Sequence, residues 1–377
     1  MIRCLQLLAI CSSLISLVSC GAKPQIACGE CTNPGIAYFL YATGTNDLST
    51  FSFLNGAEGA PSASLSQSGP NQPSGIVADA AGKFLYVSDF TNDGVEAFTI
   101  NRSNGVLTSV HGSPFSLGSS PNAGGLAIDP AAKFLYVTLI NSGQVAGFSI
   151  DSSTGSLTPV AGSPFAAGNT PMQAIVDPSG KFFYVCNYND PMGTISAYAI
   201  DPTTGALAAI AGSPFPTQAG YPGPSGLAFG AGGKFLYVSM AGTVNPNNVI
   251  SALAVDSTTG ALSQISGSPF AAGTDPIRIV SDGAGKFLFS ANLQDSTVSA
   301  FTINSASGVL TPIQGSPFTV PGAPEPLAID PAGAFLYVGA TGVSAFSVNS
   351  TTGALSPVSG TPFSMATNFN GGLVIAK

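Results

Sequence analysis

Lys83-Phe84-Leu85-Tyr86-Val87 is the stretch on which the fold turns. It returns unchanged at Lys133 and Lys234, as KFFYV at Lys181, as KFLFS at Lys286 and as AFLYV at Ala334. Tyr38-Phe39-Leu40-Tyr41-Ala42 is a degenerate first copy. Successive copies start 45, 50, 48, 53, 52 and 48 residues apart. A period of that length holds four short strands and their turns, which is one propeller blade. Seven copies therefore predict an all-β, seven-bladed propeller of four-stranded antiparallel blades. The repeated strand is almost wholly apolar, as a strand covered on both faces should be.

Each repeat divides in the same way. In the second, strand a is Gly75 to Ala78 and ends at Asp79, strand b is Lys83 to Val87, strand c is Val95 to Ile100, and strand d is Val106 to Val110. The c–d turn recurs as Asp151-Ser-Ser-Thr-Gly155, Asp201-Pro-Thr-Thr-Gly205, Asp256-Ser-Thr-Thr-Gly260 and Asn349-Ser-Thr-Thr-Gly353. Asp or Asn caps such a turn and Gly takes its positive φ; a calcium loop would need more oxygen ligands. After strand d comes Gly-Ser-Pro-Phe at Gly112, Gly162, Gly212, Gly267 and Gly315, with Gly360-Thr-Pro-Phe363 as a variant. Proline lacks an N–H and suits a strand end, and the following Phe is expected between blades. The first repeat has no strand a. Gly372-Leu373-Val374-Ile375 at the other end reads as a strand a with no strand b after it, so the C-terminal strand is expected to close the ring on the first blade.

Outside the repeats, the chain opens with Arg3 and an apolar run from Leu5 to Val18, too short to span a bilayer comfortably but apt for a signal peptide. Leu17-Val18-Ser19-Cys20-Gly21 resembles a bacterial lipobox, with Cys20 as the lipidated residue. The expected organisation is a lipoprotein signal peptide at 1–19, an anchor linker at 20–35 and the propeller at 36–377. That makes the protein an exported, membrane-anchored lipoprotein of a bacterial cell envelope, in the periplasm or at the cell surface. The membrane is then a partner through Cys20. Cys28 and Cys31, in a Cys-Gly-Glu-Cys stretch without a βαβ context or a second ligand pair, read as a local disulfide. Cys186 is left as a buried thiol.

Only 7% of residues are charged, and the formal net charge is −8, one unit more negative once Arg3 leaves with the signal. Nucleic-acid binding needs clustered basic charge and is excluded. No metal or cofactor is expected, and the closed ring is expected to be a monomer.

The KFLYV strand, its Asp/Asn-rich following loop and the strand c pattern resemble the YVTN-type and lactonase-like seven-bladed propellers, which include propeller 6-phosphogluconolactonases and carboxymuconate-lactonising enzymes. The resemblance covers residues 36 to 377. It implies a site at the channel mouth on the face shared by the d–a and b–c loops. The column four residues before the strand-a Asp holds Gly75, Gly125, Gln173, Gly226, Arg278, Pro326 and Gly372. Against glycine neighbours, Gln173 and Arg278 stand out, and Arg278 is expected to project into open space. With Glu325, Asp89, Asn187 and Asn292 they make the expected polar ring. The resemblance also implies His and Arg at the start of strand a; the matching positions are Met172-Gln173 and Ile277-Arg278, where only Arg278 keeps a cation. His111, the single histidine, lies near the outer edge. Catalytic residues therefore stay unassigned. The expected function is a non-catalytic binding or scaffold module for a small polar ligand or an envelope protein. The alternative is a lactonase-family hydrolase acting on a sugar lactone, with Asp89 or Glu325 replacing the missing base.

Overall fold

The computed structural model describes residues 36–54, 63–70, 72–118, 122–190, 193–217, 223–241, 248–365 and 369–376. Cys20, Cys28, Cys31 and the expected signal and linker lie outside them.

The described strands form seven antiparallel sheets, which are the seven blades. Blade 1 consists of Phe369–Ala376 as strand a, Ile36–Gly44 as b, Asp47–Leu54 as c and Ala63–Ser68 as d. The last strand of the chain thus pairs with the first, in the register Leu40 to Ile375 and Ala42 to Leu373. Blades 2 to 7 follow in chain order, with strands a starting at Pro73, Ala123, Pro171, Pro224, Pro276 and Leu327.

Asp79 shows why strand a stops where it does. Its Oδ1 accepts the backbone N–H groups of Lys83 and Phe84 at 2.7 and 2.6 Å, which folds the a–b turn back into strand b. Asp129, Asp177, Asp282 and Asp330 repeat this. Blade 5 has Gly230 there, followed by a short 3-10 turn, Ala231–Gly233. In the c–d turn, Asp151 accepts the N–H groups of Ser153 and Thr154, each at 2.9 Å. Hydrogen bonds from Ser153 and Thr154 hold its carboxyl down to about 2.

One element departs from the sequence expectation. Strand d of blade 2 is only Leu107–Ser109, and Gly-Ser-Pro-Phe does not end the blade. After a cis Ser113-Pro114 bond, Phe115–Ser116 returns to pair with the start of strand c. Between the two pieces, the Ser113 hydroxyl oxygen accepts the Ala97 N–H at 2.9 Å, which supplies the acceptor that the interrupted strand d does not. Blades 3 to 6 do the same through Ser163, Ser213, Ser268 and Ser316.

The core lies between blades. Phe84, Tyr86 and Val95 of blade 2 pack on Leu126, Leu135 and Phe148 of blade 3, with Phe115 partly buried against them. Each blade is therefore a sheet covered on both faces, and the inner edges of the seven strands a face the axis.

Candidate functional site at the channel mouth

Where the strands a begin, an axial cavity of about 100 Å3 is lined by six of the seven column residues: Gly75, Gly125, Gln173, Arg278, Pro326 and Gly372. The glycines are not there to clear room for a ligand. A Cβ on Gly125 would lie 2.7 Å from the Met172 carbonyl oxygen and 3.0 Å from the Gln173 Cα of blade 4. One on Gly372 would lie 2.5 Å from Ile76 Cγ2 of blade 2. The innermost strands of successive blades converge so closely that most tolerate no side chain in this column. Hydroxyls join them at this level: Ser88 donates to the Gly124 carbonyl at 2.8 Å and Thr138 to the Met172 carbonyl at 2.8 Å.

Gln173 of blade 4 and Arg278 of blade 6 are the large polar exceptions, and both are held on the strand a that lies between them, Pro224–Gly230 of blade 5. The Leu227 N–H donates to Gln173 Oε1 at 2.9 Å. With its oxygen so engaged, the amide offers its Nε2 hydrogens as donors. Arg278 Nη1 donates to the Ser225 carbonyl at 3.3 Å, the guanidinium's one hydrogen bond to described residues. The Ser225 hydroxyl in turn reaches the Pro276 carbonyl at 3.4 Å. Burial pulls the Arg278 pKa down, opposed by the fields of Glu325 and Cys186. An arginine keeps its proton under such conditions, so the cavity presents a half-buried cation most of whose donors are uncommitted among the described residues.

The other predicted residues do not join this pair. Asp89 is buried and caps its own b–c loop, accepting the Thr91 and Asn92 N–H groups at 3.0 and 2.8 Å. Asn187 donates to Thr194 and Ser196 hydroxyls at 2.9 Å and accepts the Gly168 N–H at 3.1 Å. Asn292 repeats the two donor bonds with Thr297 and Ser299, but its Oδ1 is buried without a partner and the Gly273 N–H donates to Ser299 instead. These three order the loops of the mouth. Glu325 is exposed at the rim and forms no ion pair with Arg278, although its field is the leading one favouring the charged guanidinium. Cys186 is a free, fully buried thiol whose pKa burial drives upward. Ser74 also lines the cavity, a place the sequence does not reveal, because a serine at a strand start carries no signal of its own. Among the described residues no cluster of His, Cys, Asp or Glu could hold a metal.

A family model described as the lactonase seven-bladed β-propeller matches residues 36–172 and 213–324, more than half of the chain. A candidate 6-phosphogluconolactonase of Bacteroides fragilis superposes with a TM-score of 0.75 at 20% identity, covering 93% of this chain and 100% of that one. A second candidate of that kind, from Bacteroides uniformis, gives 0.75 at 20% identity over 90% of this chain and 99% of its own. A periplasmic gluconolactonase of Pseudomonas aeruginosa gives 0.73 at 18% identity, with coverage of 90% and 99%. Among curated proteins, none matches by sequence.

Proposed function

This chain belongs to the lactonase seven-bladed β-propeller family, and from that premise we propose that it hydrolyses a sugar lactone at the channel mouth. The observation that carries this reading is the pair Gln173 and Arg278, two donors from blades 4 and 6 anchored on one strand and lining one cavity. Fixed, preorganised donors stabilise charge as it develops on a carbonyl oxygen. A water attacks the lactone carbonyl carbon, and the oxyanion forms against the Arg278 guanidinium and the Gln173 amide. Glu325, at the rim, takes the water's proton. When the ring C–O bond breaks, that proton passes to the departing alkoxide oxygen, and a hydroxy acid results. The cavity seats only the carbonyl end, so the rest of the sugar ring sits above it, among the loops ordered by Asp89, Asn187 and Asn292.

A second reading is favoured by one observation: among the described residues lining the cavity there is no Asp, Glu or His. A non-catalytic module would bind the ring-opened hydroxy acid through its carboxylate on Arg278. Hydrolysis of δ-gluconolactone, followed above its spontaneous rate, separates the two. In the first, Arg278→Ala lowers kcat/KM by about 10²-fold or more, and Glu325→Gln lowers kcat with little change in KM. In the second there is no turnover, and gluconate binding is lost in Arg278→Ala. Neither turnover nor binding would defeat both readings.

The proposal extends to location: an exported protein tethered through lipidated Cys20. The expected result for Cys20→Ser is release from the membrane fraction, and unchanged partitioning would overturn it.

A further inference from the structure

At the seam between blades 6 and 7, the outer part of blade 7 departs from the pattern of blades 2 to 6. In blades 2 to 6 the motif serine accepts the strand c amide, for example Ala300 N–H to Ser316 at 2.9 Å. Blade 7 has Thr361 instead, whose hydroxyl donates to the Val358 carbonyl at 3.0 Å, and no bond from the Ala345 N–H to it matches those of blades 2 to 6. The returning short strand is also reduced, to the single bridge between Val343 and Phe363. Beside this change lies a cavity of about 350 Å3, distinct from the axial one and larger. Its walls include Val320, Pro321, Phe346 and Val358, and Ser344 also lines it. Ser344 is 2% exposed, and its hydroxyl has no hydrogen-bond partner.

The equivalent strand c serines are satisfied. Ser299 in blade 6 bonds Asn292, Ser196 in blade 4 bonds Asn187, and Ser251 in blade 5 donates to the Thr217 carbonyl at 2.7 Å. In blade 7 the position matching Asn292 is Ala340, so the amide that would partner Ser344 is missing. A buried hydroxyl without a partner is costly, and one at the wall of a cavity can be satisfied from within it.

We infer that this seam is a second ligand site, which takes a small, largely apolar molecule carrying a single hydrogen-bonding group. The apolar body packs on Val320, Phe346 and Val358. The polar group meets Ser344, whose hydroxyl reaches the cavity by rotation about χ1 between staggered wells. The volume is at the lower end of the range for ligand pockets, and the mainly apolar walls suit a bicyclic aromatic rather than a sugar. The site shares no residue with the axial cavity.

The probe is 2-naphthol, titrated calorimetrically into the purified propeller, with naphthalene-2-sulfonate as a charged control. The neutral probe is expected to bind saturably with one-to-one stoichiometry, and the charged one not to bind. Ser344→Ala is expected to weaken binding by about 2- to 12-fold, the worth of one neutral hydrogen bond. The same change should raise the melting temperature of the unliganded protein, because it deletes an unsatisfied buried hydroxyl. A serine with only a structural role would lower it instead. Val358→Phe, at a half-buried wall position, should abolish binding, and Arg278→Ala should leave it unchanged. The inference falls if 2-naphthol shows no saturable binding up to its solubility limit. It falls equally if Ser344→Ala leaves the affinity unaltered or Arg278→Ala removes it.

Discussion

The Tyr237 hydroxyl of blade 5 donates to the Gly308 carbonyl in the c–d turn of blade 6 at 2.8 Å. The same bond runs from Tyr41 to Gly105, Tyr86 to Gly155, Tyr136 to Gly205 and Tyr184 to Gly260, so strand b of each of blades 1 to 5 is tied to the turn of the next. Blade 6 carries Phe289 in place of the tyrosine and makes no such bond to Gly353 of blade 7. Phe289→Tyr is expected to add one, stabilising the protein by about 0.5–1.5 kcal/mol. Tyr184→Phe should cost more, because it leaves the buried Gly260 carbonyl unpaired. Denaturant melts of the two variants check both signs; a Phe289→Tyr variant less stable than the parent would refute the latch.

Ring closure rests on the strand Phe369–Ala376. Its register with Ile36–Gly44 is reinforced where Thr43 Oγ1 accepts the Gly372 N–H at 2.7 Å. Deleting residues 371–377 removes most of that strand and bares the inner edge of blade 1. Unpaired strand edges recruit one another, so a lower melting temperature and loss of the monomer peak in gel filtration are expected. An unchanged, monomeric protein would contradict the closure.

Gly125 makes a different test. If close approach of strands a, and not ligand clearance, explains the glycine column, Gly125→Ala is destabilising by about 1–3 kcal/mol through forced backbone shifts. The Met172 carbonyl and Gln173 Cα that it would strike are backbone atoms and cannot turn aside. Because Gln173 would move with them, any lactonase activity should fall too. A melting temperature equal to the parent's would restore the idea of open space.

The buried tyrosines predict the alkaline behaviour. Burial pushes Tyr38 up to about 12, and drives Tyr41, Tyr86, Tyr136, Tyr184, Tyr237 and Tyr337 upward as well. Each holds its proton more tightly folded than unfolded. The stability this contributes is whole below about pH 10, the unfolded tyrosine value, and is lost as pH rises through the folded values. Tyrosinate absorbance should therefore lag a normal titration and then rise together with loss of near-ultraviolet circular dichroism. A smooth transition near pH 10 in folded protein would refute it.

The propeller was legible in the chain because a blade is a local unit. Its apolar strand b and Asp-capped turns recur within a period of about fifty residues, and closure follows from how the two incomplete ends complement each other. Gln173 and Arg278 could be found the same way, as exceptions in a repeated column. The rest of the site could not. Asp89, Asn187 and Asn292 sit at similar places in the repeat, yet whether such a side chain faces the axis or its own loop depends on which backbone N–H and hydroxyl groups lie within 3 Å of it.

Likewise, a glycine in a column has the same letter whether it makes room for a ligand or for a neighbouring backbone; only the packing of blade on blade distinguishes them. The seam between blades 6 and 7 is subtler still. Thr361 for serine, Ala340 for asparagine and Phe289 for tyrosine are small, separate changes in sequence. They meet at one interface only because the ring brings strands from the last two repeats face to face. The sequence by itself thus determined the number of blades and the manner of closure, since the repeat is a short-range pattern and its two incomplete ends complement each other. Which polar groups point inward, and where a cavity opens, was decided by the tertiary structure, since hydrogen bonds and voids exist only between parts of the chain that folding has brought together.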